Sequence, residues 1–77
     1  MEFMVKFKWY DDERIWLATS SSDKFALTLD HVSFDALVER VKIAICDIVE
    51  NELNYNGEIK IKIVTERIIS MVWEVLA

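Results

Sequence analysis

A chain of 77 residues with one cysteine, one histidine, one glycine and no proline forms a single domain that has no intrachain disulfide and lacks the soft ligands of a zinc site. Its 53% apolar content exceeds the about 45–50% of an ordinary soluble domain, yet charges interrupt every run well before the about 20 apolar residues that span a bilayer. So short a chain hides only about 60% of its unfolded surface, which together with the missing staple predicts self-association, while nine basic against fourteen acidic residues, a net charge of −5, disfavour a phosphate backbone and suit a basic partner.

The opening "MEFMVKFK" has no small-residue cleavage site after an apolar core, so no secretory signal is expected and the protein is read as soluble and cytoplasmic. Strict alternation then sets Phe3, Val5, Phe7 and Trp9 on one side and Met4, Lys6, Lys8 and Tyr10 on the other, which predicts a half-buried strand over about residues 3–10. Asp11, Asp12 and Glu13 occupy a connection of hairpin length before a second strand over 15–20, rich in β-branched and aromatic residues. A third strand, 25–30, follows the polar "SSSDK" loop.

Ser33 is suited to cap a helix and Asp35 adds negative charge near the positive end of its dipole. Phe34, Leu37, Val38, Val41, Ala44, Ile45 and Ile48 recur at three- and four-residue steps, which predicts a long helix over about 34–52 with one apolar stripe. At 100° per residue Ile43 falls opposite that stripe and Cys46 well off it, so both are expected on the outer face. "NYNG" ends the helix, with Gly57 as the residue able to take positive φ. Ile59, Ile61 and Ile63 then alternate with Lys60, Lys62 and Val64 in a fourth strand over 58–65 with one core face; the tail, 68–77, reads equally as strand or short helix. Crossover rules favour a two-layer α+β fold, β-β-β-α-β, with sheet order 3-2-1-4, the fourth strand parallel to the first and the helix on one face.

"VKFKWYDDERIWLATS" followed by "ALTLDHVSFDALVERVKIAICDIVENELN" resembles the HicB-like antitoxin-fold group, and most closely its small uncharacterised branch, domain-of-unknown-function family nineteen-oh-two. The shared features fall on Val5, Phe7, Trp9, Asp11, Asp12, Trp16, Ala18, Ser20, Leu27, Ser33, Leu37, Glu39, Arg40 and Val41. The family's Pro-Gly-Leu before the third strand is here Phe25, Ala26 and Leu27, and a proline common in the helix is replaced at Cys46. The resemblance implies a partial ribonuclease-H-like fold without nuclease activity, and HicB proteins proper bind and block a small basic ribonuclease toxin. The DNA-binding segment by which many of them repress their own operon has no counterpart after the fourth strand, so autoregulation is not expected.

Residue chemistry agrees that no catalytic, cofactor or metal site is to be expected. Two-metal hydrolysis needs converging carboxylates, but the inward positions of the first strand are Val5, Phe7 and Trp9. Neighbouring turn acids at 11–13 diverge into water and lack the spaced ligands of a calcium loop. Cys46 and His31 are far apart along the chain, nothing orients the imidazole, and the serines at 20–22 have no glycine-rich cradle. Trp9 and Trp16 are expected to pack across their strands, with base stacking as the alternative.

Three functional readings follow. The first is a non-enzymatic protein-binding module, antitoxin-like or regulatory, whose helix face with Glu39, Asp47 and Glu50 meets a small basic partner. A second is a self-associating structural protein, a homo-oligomer and most simply a dimer, using Ile43, Cys46, Met71, Val72 and Trp73. The third is a weak RNA-binding module that depends on Lys6, Lys8, Lys60 and Lys62 sharing one sheet face. No membrane association is expected.

Overall fold

The computed structural model describes residues 1–21 and 26–69, with Met71 and Trp73. Among these residues four strands, β1 (Glu2–Tyr10), β2 (Ile15–Ser21), β3 (Ala26–His31) and β4 (Lys60–Arg67), form one sheet of order β3-β2-β1-β4, and one helix, α1 (Phe34–Asn51), covers one face. β1 is central and pairs antiparallel with β2 and parallel with β4. This is the expected α+β architecture and strand order.

Burial along β1 follows its alternation, with Phe3, Val5 and Phe7 inside and Glu2, Met4 and Lys6 outside. Ala18 lies opposite Phe7 in the register and is fully buried, because a larger side chain there would collide with the aromatic ring and the helix above it. Leu37, Val41, Ile45 and Val49 recur every four residues on α1 and complete the core with Leu27. Phe34 closes the upper end, its ring 5.0 Å from both Phe7 and Trp16. Ser20 is the one buried polar side chain among the described residues, and its hydroxyl donates to the Met4 carbonyl at 2.7 Å.

The helix starts as predicted: Ser33 Oγ accepts from the Ala36 amide at 3.3 Å, with Asp35 in the first turn. His31 adds a second local contact, since its Nδ1 accepts from the Ser33 amide at 2.8 Å. The end of the helix differs from expectation. Glu52 and Leu53 both donate their amides to the Ile48 carbonyl, and Asn54, at φ 51°, makes the left-handed reversal rather than Gly57. Asparagine tolerates that region because its short side chain can bond locally. Gly57, at φ 152°, serves the approach to β4, where a Cβ would stand 2.8 Å from the Tyr55 hydroxyl. That hydroxyl donates to the Glu58 carbonyl, which also accepts from the N-terminal ammonium.

β4 is displaced by two residues from the predicted 58–65. Its pairing begins at Glu2 opposite Lys60 and ends at Trp9 opposite Arg67, so the limits of β1 set the limits of β4. Glu58 is spent on the N-terminus instead of the sheet. Phe25, assigned to the start of the third strand, and most of the tail lie outside the described residues; Ile68 and Ile69 follow β4 without regular structure.

Leu37→Ala, which empties a fully buried site under α1, is expected to cost about 2–5 kcal/mol, whereas Ile43→Ala on the outer face should change stability by no more than about 0.5 kcal/mol. Urea unfolding followed by circular dichroism checks both.

Candidate functional site

The first surface is the outer face of α1. Its four- and three-residue spacing brings Glu39, Ile43, Cys46, Asp47 and Glu50 together, all exposed. Ile43 is 70% exposed, with Glu39 and Asp47 four residues to either side and Arg40 and Cys46 three residues to either side. Glu39 is bridged by Lys42 at 3.2 Å, and Asp47 accepts from the Asn51 amide group at 2.7 Å, while Glu50 has no hydrogen-bond or ion-pair partner among the described residues and no basic residue occupies the last turn. Carboxylates at that end oppose the helix dipole. Ile43 and Cys46 thus lie on the outer face of α1, where their angular position on the helix puts them. Met71 and Trp73 do not join it: they follow β4, at 79% and 80% exposure, and Val72 lies outside the described residues.

The second surface is the open face of the sheet. Glu2 lies opposite Lys60 and Met4 opposite Lys62, with Lys6 and Lys8 further along β1, so all four lysines share one face. This juxtaposition needed β1 and β4 to be neighbours, and they are. Two acids interrupt the patch. Glu66 accepts from Lys6 Nζ at 2.6 Å, and Glu2 stands beside Lys60. The hydrogen bond to Lys6, reinforced by its charge, holds the Glu66 carboxyl below its ordinary value, and the same bond raises Lys6 above the ordinary lysine value. Nothing in the local sequence announces this pair, which is separated by sixty residues and joined only by the strand register.

The tryptophans face the other side and are occupied. Trp9 and Trp16 pack at 5.3 Å in a tilted arrangement, the Arg67 guanidinium sits 5.6 Å over the Trp9 ring, and Trp9 Nε1 donates to Asp11 at 3.2 Å. Asp12 and Glu13 are exposed turn residues, with Arg14 at φ 52° completing the reversal. No group of three or more His, Cys, Asp or Glu among the described residues is placed to hold a metal ion. An open groove of about 650 Å³ lies by Met1, Phe3, Leu27 and Leu53, where the Ser20 hydroxyl is already committed to Met4.

A third surface was not legible in the sequence. Ile63 pairs with Val5 and points to the same side of the sheet, yet Val5 is fully buried and Ile63 is 37% exposed. The cause is lateral: α1 lies nearest β3 and β2 and farther from β1 and β4. Alternation predicted a core face for the fourth strand, and of β4 only Ile61, with Ile59 just before it, packs against the core.

Sheet order, helix placement and the paired tryptophans together describe a small α+β domain. The chain belongs to the family described as Domain of unknown function (DUF1902), whose profile matches residues 2–75. Comparison with curated proteins and with solved structures finds no match. No described helix is long and apolar enough to cross a membrane.

In an NMR titration, the Glu66 carboxyl is expected to protonate below the ordinary glutamate range, and in Lys6→Met to return to it. The sign follows from the pair: the contact is complete at neutral pH, is lost as acid protonates Glu66 at its lowered value, and is lost in base only above the ordinary lysine value.

Proposed function

We propose that the protein is a non-enzymatic protein-binding module of HicB-like type, antitoxin-like or regulatory, that engages a small basic partner through the outer face of α1. The observation that carries this reading is Ile43, exposed at the centre of a helix face bearing Glu39, Asp47 and Glu50. An exposed apolar side chain with charged neighbours, the carboxylates of Glu39 and Asp47 outnumbering the guanidinium of Arg40, is the pattern of a contact centre with a polar rim. Glu50 in the last turn, with no basic residue beside it, is unfavourable to the isolated helix by about 0.3–1 kcal/mol. Cations on a partner would reverse that sign, and the acidic field of the whole chain would speed their approach.

This predicts opposite effects from one substitution. Glu50→Lys should stabilise the free protein by about 0.3–1 kcal/mol and weaken partner binding. Co-purification from the native host, with mass spectrometry, should return a small basic protein with the wild type and lose it with Ile43→Asp. Recovery of the chain by itself, or a partner indifferent to both substitutions, contradicts the reading.

A second reading, RNA binding by the open sheet face, is favoured by one observation, the convergence of Lys6, Lys8, Lys60 and Lys62. Glu2 and Glu66 on that face, and the commitment of both tryptophans elsewhere, weigh against it. Filter retention of RNA at low salt that falls steeply with added salt would support it; absence of retention would remove it.

A further inference from the structure

We infer that β4 is a homodimer interface, pairing antiparallel with β4 of a second copy about a two-fold axis that passes through the sheet at Val64. This site is separate from the helix face proposed to bind a basic partner, so either can fail without the other.

β4 ends the sheet, and its outer edge pairs with nothing among the described residues. Eight residues without proline or glycine give about 26 Å of open ladder, a length that soluble proteins ordinarily blunt. Lysines are one such guard, and Lys60 and Lys62 stand on this strand. They guard against arbitrary pairing only where the incoming strand offers no complementary charge.

The strand supplies its own complement. Pairing an edge antiparallel with its copy requires a two-fold axis normal to the sheet, and residues directly opposite share a face. Even-numbered residues must therefore oppose even-numbered ones, which confines the axis to a residue of the strand. With the axis at Val64, Val64 meets its equivalent and Lys62 stands opposite Glu66 of the second copy, twice by symmetry. On the helix side Ile63 meets Thr65. An axis at Lys62 sets that lysine against itself, and one at Thr65 leaves both lysines without an acid. One at Ile63 pairs Lys60 with Glu66 and leaves Lys62 against Val64, as the Val64 register leaves Lys60 against Ile68, but it sets Ile59 opposite Arg67 where the Val64 register sets it opposite Ile69. Glu66 is already turned to the open face by Lys6, where a second ammonium can share it.

Apolar exposure follows the same line. Ile63, Val64, Ile68 and Ile69 are all exposed, on or just after β4. In the Val64 register an extended continuation sets Ile69 opposite Ile59 of the second copy, so each chain's apolar end lies along the lower edge of the other. Because α1 lies nearest β3 and β2, away from the β4 edge, two copies join there without a clash between helices.

Light scattering on the purified full chain should give about twice the 9.1 kDa of one chain. Lys62→Glu alone and Glu66→Lys alone should each halve that mass at equal concentration, because each sets like charges opposite one another. Mixed one to one, the two variants should recover the dimer, since each then meets its opposite charge. Circular dichroism confirms that the variants are folded. Independently, Val64→Cys in a Cys46→Ser background should form an interchain disulfide under glutathione oxidation, as residues opposed at the axis lie within bridging distance. A wild type that stays monomeric at high concentration overturns the inference. So does a dimer that neither charge reversal weakens, or the absence of the Val64→Cys cross-link.

Discussion

Phe3, Val5 and Phe7 project from the central strand into the space that α1 closes, and they can do so only because β1 is flanked on both sides. β2 reaches it through a four-residue turn, while β4 reaches it from the far end of the chain after the helix has crossed the sheet. The parallel pairing of β1 with β4 is thus the contact with the greatest loop-closure cost, and it is repaid by hydrophobic burial at Phe3 and Ile61 and by the clamp of Tyr55, Glu58 and the N-terminal ammonium. It also fixes which charges meet: Lys6 with Glu66, and four lysines on one face.

Where the helix lies across that sheet decides what remains exposed. A helix is about 10 Å wide and four strands span about 14 Å between their outer axes, so one helix cannot shelter both edges equally. Here it favours β3 and β2, and the cost falls on β4, whose helix-side isoleucine at 63 is left partly in water. A 77-residue domain has little stability to spare. An apolar edge on such a domain is a surface that invites cover, and the charges on β4 restrict what can provide it. The outer face of α1 differs in kind, with the exposed Ile43 among charged side chains and Glu50 in the last turn, where the helix dipole disfavours a carboxylate.

Much of this was legible residue by residue. Alternation from Phe3 to Trp9 gave the burial of β1, Ser33 marked the start of α1, and angular position placed Ile43 and Cys46 outside. Two local readings missed for stated reasons: the helix reversal fell to Asn54 because the chain turned before reaching Gly57, and β4 began two residues late because β1 had nothing earlier to pair with. Ile63 could not have been recognised as exposed from its neighbours, since its pattern is that of a buried strand.

The amino-acid sequence by itself determined the kind and order of the elements, which side of each is apolar, and the outer face of α1 that carries Ile43, because these depend on periodicities of two and 3.6 residues carried within a few turns of chain. Only the tertiary structure decided the lateral position of α1, the open edge of β4, the union of Lys60 and Lys62 with Lys6 and Lys8, and the ion pair at Glu66. Those follow from register between segments some sixty residues apart, and no local pattern encodes how far one element slides across another.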